Sequence, residues 1–264
     1  MVDCDPQANA TTGLGIDLGP EKKNIYDVFM SRVEGFPQVP ISDIICPTES
    51  GIDVAPATLD LVGAEPYLYG IAARAEVLKD ALWPVKKRYD LILIDTPPSM
   101  GQFVINGLVA ADHVIVTLDS GSFALSGIGP LLTIFGDIKE SMGKNLSVDM
   151  AIISRWGEGG DTESPVQEEE AKKDLASWFR SLLFPRHEPS EEEKRTREER
   201  EKEHARLHGM LGEIEKKFTD VHTVPYSPEV YEAQKRGMPL SHFAPGCSAG
   251  SAYKSIADEV MRWT

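Results

Sequence analysis

The sequence predicts an α/β fold in which a doubly wound, mostly parallel sheet is flanked by helices. Short apolar runs of strand length alternate along the chain with longer segments of helical periodicity. Acidic and small polar residues follow directly after several of the apolar runs, at the edge where such sheets bind ligands. The chain has 264 residues, of which 41% are hydrophobic, enough for one sizeable core. We therefore expect one domain over residues 1–264.

The predicted strands are the short apolar runs, which suit a sheet that is covered on both faces. Helical patterns with an apolar face separate them. Pro84 is expected to kink or to end the first long helix. The predicted strands are 91–94, 113–118, 149–154 and 221–224, with Met1-Val2 as the last part of another strand, and the predicted helices are 71–88, 101–111, 126–142 and 249–263.

Residues 157–220 break this alternation and are predicted to be a charged, helical insertion. The segment 191–203 holds seven Glu and five Lys or Arg residues and no apolar residue, which is typical of a solvated helix, here expected over 190–206. The insertion either docks on its own domain or serves as a partner-binding arm. Its helical stripe, spaced for one face, consists of Leu207, Met210, Leu211, Ile214 and Phe218.

Composition excludes several classes of protein. The net charge is −15 and the sequence pI is about 4.8, so contact with DNA would need a local basic patch. The three cysteines are far apart in the sequence and form no CxxC pair, which argues against a disulfide framework or a structural zinc site. No apolar run approaches 18 residues and the start shows no signal-peptide pattern, so we expect a cytoplasmic protein without membrane binding.

The first candidate site segment is Val2-Asp-Cys-Asp-Pro-Gln-Ala-Asn-Ala-Thr-Thr-Gly-Leu-Gly15. Asp3 and Asp5 are two positions apart at a strand end, so their side chains share one face. Two close carboxylates suit a metal ion or a water nucleophile near a phosphate group. By itself, the pattern is equally consistent with a strand that ends in a turn.

The second and third segments also follow apolar strands. Tyr89-Asp-Leu-Ile-Leu-Ile-Asp-Thr-Pro-Pro-Ser-Met-Gly101 places Asp95 at a strand end, the Walker B arrangement, in which the carboxylate lies beside a nucleotide-bound Mg²⁺. The diproline then restricts the following loop. Val224-Pro-Tyr-Ser-Pro-Glu-Val-Tyr-Glu-Ala-Gln-Lys-Arg-Gly-Met-Pro-Leu240 reads as a loop and a short helix after a strand.

Together the three segments resemble the ParA/Soj branch of the deviant Walker A ATPases, which includes MinD-like proteins. The first is similar to the family's switch I (DxDPQxNAT), the second to its Walker B and switch II (YDxIxIDTPPSxG), and the third to its late adenine-side loop. The stretch 123–127 resembles another family segment. The resemblance covers nearly the whole chain outside 157–220 and implies a P-loop NTPase fold.

The resemblance implies a role for each matching residue. Asp5 would orient the attacking water and Asp95 would hold Mg²⁺, while Asp3 would be a structural acid of the cofactor-binding site. Thr96 and Pro97 would belong to the cofactor-binding site, and Pro225 and Ser227 would border the adenine. The implied cofactors are ATP and Mg²⁺. The implied partners are a second copy in a nucleotide-dependent homodimer, a ParB-like centromere-binding protein and non-specific DNA, although the net charge of −15 argues against DNA.

The sequence departs from the family in one main respect, because its 264 residues contain no Gly-x-x-x-x-Gly-Lys-Ser/Thr loop. We expect that an N-terminal segment with the first strand, this loop and its helix is missing, so that the given chain binds ATP weakly. Two smaller departures are Ser227 in place of the family's Asn and Glu229 where a basic residue is frequent. The alternatives to a partition ATPase are a degenerate, nucleotide-free scaffold and a fold-related amidoligase acting on cobyrinate or a similar acid.

Overall fold

A computed structural model describes residues 1–19, 21–120, 127–157 and 205–264. Parallel strands alternate with helices over these ranges. The strands are β1 (Val2–Asp3), β2 (Cys46–Pro47), β3 (Asp53–Val54), β4 (Ile94–Asp95), β5 (Ile115–Asp119), β6 (Met150–Trp156) and β7 (Val221–Pro225). The helices are α1 (Asn9–Gly13), α2 (Ile25–Met30), α3 (Glu65–Leu68), α4 (Val77–Leu82), α5 (Gln102–Ala110), α6 (Ile128–Met142), α7 (205–215), α8 (Pro228–Lys235), α9 (Leu240–Phe243) and α10 (Ser248–Val260).

The parallel strands form two groups. β1 pairs with β4, with Asp3 opposite Asp95, and a parallel bridge joins Val2 to Ala55. β5, β6 and β7 form a separate three-stranded parallel sheet in that order. β2 and β3 make a short antiparallel pair. Parallel strands joined by helices confirm the predicted α/β fold class, and the polar residues after β1 and β4 lie at one edge.

The first core lies around α2, which is built for its position. Asn24 caps the helix by accepting from the N–H of Tyr26, and Asp27 accepts from the N–H of Asn24, so two helix-end donors are satisfied. Phe29 is fully buried and meets Phe103 edge to face, with ring centroids 5.2 Å apart. This core joins α2, α4 and the start of α5 beneath β1 and fixes the two strands that carry the acidic residues.

The C-terminal part of the charged insertion docks on its own domain. Ile214 and Phe218 are buried against Leu118, Ile128 and Ile153. Leu207 is buried as well, and the remaining members of the predicted stripe, Met210 and Leu211, pack at the edge of the same cluster. Residues 207–218 therefore pack on the domain itself, which agrees with the first of the two alternatives. The expected solvated helix at 190–206 lies almost wholly outside the described residues, as does most of 123–127.

A groove of about 870 Å³ separates the two groups of strands. Its walls include residues 91–94, from the segment that leads into β4, and residues 113–115, at the start of β5. Within the described residues, β4 pairs only with β1 and β5 only with β6, so each strand has an unpaired edge. Two apolar side chains that line the groove are unusually exposed to solvent. The exposed fraction is 47% for Leu93 and 76% for Trp83. In the part of the chain that the structure describes, the parallel sheet is therefore interrupted between β4 and β5.

Several predicted elements are shorter in the structure. The helix predicted over 71–88 is reduced to α4, because the chain turns at Trp83-Pro84 and continues as a 3₁₀ turn at Lys86–Arg88. The strand predicted over 91–94 is assigned only at Ile94–Asp95, since one of its edges faces the groove. Helix α2, helix α3 and the β2–β3 pair were not predicted. Among the described helices, none is long and apolar enough to span a membrane.

Candidate functional site

Three carboxylates converge where β1 and β4 end. The N–H of Val2 donates to the carbonyl of Leu93 and the N–H of Cys4 donates to that of Asp95, so the two strands run side by side up to the acidic residues. Their parallel register places Asp3 opposite Asp95, and Asp5 follows two residues later. The structure thus brings together the acidic residues of the first two sequence segments.

Asp3 is fully buried and holds the loop that follows it. Its carboxylate accepts hydrogen bonds from the N–H of Asp5 at 3.0 Å, the N–H of Thr11 at 2.9 Å and the hydroxyl of Thr11 at 2.7 Å. The Thr11 hydroxyl oxygen in turn accepts from the N–H of Ala57 at 3.0 Å. Three donors thus satisfy the hydrogen-bonding capacity of this buried carboxylate. The observed contacts of Asp3 are therefore structural, and a direct contact with a cofactor stays a prediction.

Asp5 is only partly buried and lies at the entrance of the short helix α1. Its Oδ1 accepts from the N–H of Gln7 at 2.8 Å, which fixes the orientation of the carboxylate. The loop then passes through Ala8, whose φ of 53° is in the left-handed region. Non-glycine residues adopt that region at a cost, and such strain is concentrated at functional sites. An oriented, accessible carboxylate is suited to accept a hydrogen bond from water.

Asp95 carries the electrostatic signature of the site. Its pKa is raised from 3.8 to about 6, chiefly by burial and next by the negative charges of Asp3 and Asp5, while a hydrogen bond from the N–H of Thr96 acts in the opposite direction. The negative charges of neighbouring carboxylates disfavour ionisation of a carboxyl group that is partly buried and has few hydrogen-bond donors, here that of Asp95. A cation at this point would relieve that repulsion, so the set of oxygen donors fits a hard divalent ion such as Mg²⁺.

The loop after β4 is shaped by close packing. Pro97 is buried and Thr96 is partly buried. The methyl group of Thr96 lies so close to Gly107 on α5 that a Cβ at that glycine would stand 2.8 Å from it. At the start of α5, the N–H of Gln102 donates to the carboxylate of Glu65 at 3.0 Å. Thr96 and Pro97 are therefore held in place beside Asp95.

The third segment follows β7 and turns into α8. Pro225 is the last residue of β7 and is partly buried. Ser227 is buried, and its hydroxyl donates to the carboxylate of Glu229, a bond that lowers the pKa of Glu229. Ser227 immediately precedes α8, but its side chain accepts no hydrogen bond from the N–H groups at the start of that helix. The two residues that differ from the family pattern thus bind one another.

Two glycines join the first and third segments. A Cβ at Gly237, just after α8, would lie 2.6 Å from the Cα of Gly15, and a Cβ at Gly15 would lie 2.8 Å from the carbonyl oxygen of Gly237. Both residues have positive φ, 77° at Gly15 and 60° at Gly237, which only glycine adopts without strain. The backbone of the Asp5 loop therefore contacts the end of the late loop directly.

Sequence reasoning identified the acidic residues but not the residues that position them. Thr11, which links Asp3 to Ala57, stands within the first motif and was not given a role. Glu65 is far from every motif and gave no signal in the sequence. Gly15 and Gly237 stand in the first and third segments, but their contact depends on tertiary packing that a single sequence does not reveal.

Comparison with known proteins agrees with this geometry. The family described as AAA domain matches residues 1–148. The chain is 36% identical over 155 residues to the sporulation initiation inhibitor protein Soj of Bacillus subtilis, covering 58% of this chain and 59% of Soj. It is 35% identical over 185 residues to the chromosome partitioning protein ParA of Myxococcus xanthus, covering 70% of this chain and 62% of that protein. The matches thus span about three fifths of both relatives.

Solved structures show the same fold. Cobyrinic acid a,c-diamide synthase from Mycobacterium smegmatis, with a bound ATP analogue and magnesium, is 33% identical and covers 59% of each chain with a TM-score of 0.53. Another structure of that enzyme covers 99% of this chain with a TM-score of 0.67 at 22% identity, which supports the fold alone. With the family match over more than half of its length and the three segments in place, the chain belongs to the AAA domain family, as a ParA/Soj-type member of the P-loop ATPases.

Proposed function

We propose that this chain forms the Mg²⁺-binding and water-orienting part of an ATP-dependent dimerisation switch that acts in chromosome or plasmid partitioning. The observation that carries the proposal is the convergence of Asp3, Asp5 and Asp95 at the ends of paired strands. Bound Mg²⁺ would neutralise charge on the phosphates of ATP. Asp95 would hold the ion, Asp5 would orient the water, and Asp3 would keep the loop in place.

The groove between β4 and β5 supports the part of the proposal that concerns ATP binding. A strand inserted there, parallel to both neighbours, would make the sheet continuous and pair both open edges. The carboxyl end of that strand would lie beside Asp95, so a phosphate-binding loop following it would face the three carboxylates. The position of the groove therefore supports the proposal that a phosphate-binding loop would face Asp95.

The base of the nucleotide would lie against the third segment. Pro225 and Ser227 border the loop after β7, and Gly237 ties this loop to the Asp5 loop. A nucleotide whose phosphates reach Asp95 and whose base reaches Pro225 would contact both loops at once. This would make the position of Asp5 sensitive to whether the nucleotide is bound, as a switch requires.

The test uses two proteins, namely the given chain and the same chain preceded by a Soj-type strand, phosphate-binding loop and helix. Calorimetry with MgATP should show weak binding by the first and micromolar binding by the second. In the longer protein, Asp5→Ala should leave ATP binding and dimerisation intact but stop hydrolysis, because water is oriented chiefly in the transition state. Asp95→Ala should weaken Mg²⁺-dependent binding. Normal hydrolysis by the Asp5 variant, or micromolar binding by the given chain, would contradict the proposal.

Partners are proposed with the same function. A ParB-like centromere-binding protein would stimulate hydrolysis by the ATP-bound homodimer. For DNA, the small basic patch consists of Lys235 and Arg236, whose charged groups lie over the rings of Tyr231 at 4.4 Å and Phe243 at 4.9 Å. Since the chain carries a net charge of −15, any DNA binding should be weak and should vanish in Lys235→Ala/Arg236→Ala.

A second candidate function rests on the likeness to cobyrinic acid a,c-diamide synthase. An amidoligase of that kind would use ATP to activate a carboxylate and glutamine or ammonia to supply the nitrogen. The longer protein should then consume ATP only when cobyrinate and an amine donor are present. ATP hydrolysis that is stimulated by a ParB-like protein and indifferent to cobyrinate would favour the partition switch.

A further inference from the structure

Three side chains of the types that bind metal ions meet at the start of β7. This is the opposite end of the strand from the loop that contains Ser227. His222 lies near the start of β7, Asp220 immediately precedes the strand, and Glu259 lies at the end of α10. The Nε2 of His222 is 2.9 Å from the Oδ1 of Asp220 and 3.3 Å from the Oε2 of Glu259. All three ligand atoms lie within 4.8 Å of one another. The proposed nucleotide site uses none of these residues.

The ring nitrogen at the centre of this cluster is unsatisfied. His222 Nε2 is buried from solvent, and in the described part of the chain no hydrogen bond of acceptable geometry reaches it, although two carboxylates are close. If the proton of the imidazole is on Nδ1, the lone pair of Nε2 points toward two carboxylates, which is unfavourable without a cation between them. A buried polar atom without a hydrogen bond calls for an explanation such as an ion.

The spacing of the ligand atoms suits a shared metal ion. Zinc bound by histidine nitrogen and carboxylate oxygen lies about 2.0–2.2 Å from each ligand. Two ligand atoms at about 2.1 Å from one ion are about 3.0 Å apart at a right angle and about 3.4 Å apart at the tetrahedral angle. The observed separations of 2.9 and 3.3 Å fall near this range.

The surroundings leave room for water to complete the coordination. The side chains of His222, Asp220 and Glu259 are 25%, 30% and 37% exposed, respectively. One imidazole and two carboxylates carry a formal charge of −2 when the imidazole is neutral, which a divalent cation would balance. Imidazole nitrogen with carboxylate oxygen suits zinc and neighbouring transition metals better than calcium or magnesium.

We propose that Asp220, His222 and Glu259 bind one divalent transition-metal ion of the Zn²⁺ type, which fastens the end of α10 to the start of β7. The site is separate from the proposed nucleotide site and has a structural role. The ion would stabilise the strand that leads to Pro225 and the helix that closes the sheet. The competing arrangement is a protonated imidazole held between two carboxylates, without a metal.

The test is a titration of the full, metal-free chain with Zn²⁺ by calorimetry, and with Co²⁺ by visible absorption. We expect one ion per chain and an increase of several degrees in Tm at saturating Zn²⁺. His222→Gln and Glu259→Gln should each weaken binding at least tenfold and abolish the shift in Tm. The matched control is His113→Gln, since His113 has one carboxylate, Asp149, at 3.3 Å and stacks on Trp263; this variant should bind Zn²⁺ as the unaltered chain does.

Three results would overturn the proposal. The first is a stoichiometry of zero, which is what the protonated imidazole predicts. The second is undiminished binding by both Gln variants. The third is a Co²⁺ spectrum with thiolate charge-transfer bands, which would place the ion on a cysteine. If His222→Gln fails to fold, Glu259→Gln decides the question, because the side chain of Glu259 is 37% exposed and can be altered without disturbing the core.

Discussion

At the scale of single residues, the acidic cluster divides its tasks by environment. Asp3 is buried and fully hydrogen bonded, Asp5 is accessible and oriented, and Asp95 is partly buried with a raised pKa. Chemically identical carboxylates therefore differ in what they can do, because burial and donors differ around each one. These differences lead to two predictions about stability.

Asp95→Asn should stabilise the given chain above about pH 6. The folded protein holds the proton of Asp95 more tightly than the unfolded chain does, because the pKa is raised from 3.8 to about 6. Ionisation therefore weakens the folded state progressively as the pH rises from about 4 through 6, and Asn removes this effect. The difference in Tm between variant and unaltered chain should be near zero at pH 4 and largest near pH 7.

The exposed residue Asp17 provides the control, since Asp17→Asn should show no such trend with pH. A difference in Tm for Asp95→Asn that stays constant between pH 4 and pH 7 would mean that the pKa of Asp95 is not raised in the folded protein.

Asp3→Ala should destabilise the chain by about 2–3 kcal/mol, whereas Asp5→Ala should cost less than about 1 kcal/mol. The first change leaves the N–H groups of Asp5 and Thr11 without their acceptor, and each unsatisfied buried donor costs about 1–3 kcal/mol. Relief of repulsion at Asp95 offsets part of this loss. Urea unfolding at pH 7 measures both values, and equal effects of the two substitutions would refute the structural role of Asp3.

At the scale of elements, the sequence predicted those helices and strands that apolar periodicity determines without help from tertiary contacts. The strands β5, β6 and β7 and the helices α5 and α6 agree with their predicted ranges to within two residues, and α10 to within three, because apolar periodicity and flanking polar residues both mark them. Elements that depend on tertiary contacts were missed: α2 has only six residues and is defined by its capping box and its burial in the core.

The candidate site was predictable to a similar extent. Asp3, Asp5 and Asp95 were identified because each one follows a short apolar strand, and the structure brings them together. The fixed loop geometry was not predictable, because the bonds of Thr11 and the contact of Gly15 with Gly237 arise between segments that are distant in sequence.

Ile214→Ala should destabilise the chain by about 3 kcal/mol, in the range measured for buried Ile to Ala changes. Ile214 is fully buried against β5, β6 and α6 and lies on the face of α7 that holds the insertion to the domain. Glu215→Ala, on the exposed face of the same helix, should change the free energy of unfolding by less than about 0.5 kcal/mol. Chemical denaturation of the isolated protein compares the two, and an equal effect would show that α7 is not docked.

At the scale of the whole molecule, the groove separates β4 from β5, while an apolar cluster between α5 and α6 connects the two groups of strands. The first core surrounds α2 and β1, and two further clusters lie on either side of the three-stranded sheet. The open edges of β4 and β5 and the exposed Leu93 lie between them. An unpaired strand edge with apolar neighbours is prone to pair with other chains.

A strand placed in the groove should protect both edges from hydrogen exchange. In the protein that carries the additional strand and loop, the amides of residues 91–94 and 113–115 should exchange at least tenfold more slowly than in the given chain, without ATP. The interior strand β6 is paired on both sides in either protein, so its amides serve as the internal control. Mass spectrometry of the exchanged peptides measures both, and unchanged rates at 91–94 would place the additional strand elsewhere.

The contact between Gly15 and Gly237 also has an evolutionary consequence. Each backbone occupies the space that a side chain at the other position would need, and both conformations suit glycine alone. Neither position is therefore free to change by itself, although 221 positions of sequence lie between them. Among descendants of this chain we expect the two glycines to be kept or lost together, and a lineage that lost them would also have released the loop bearing Asp5 from the end of α8.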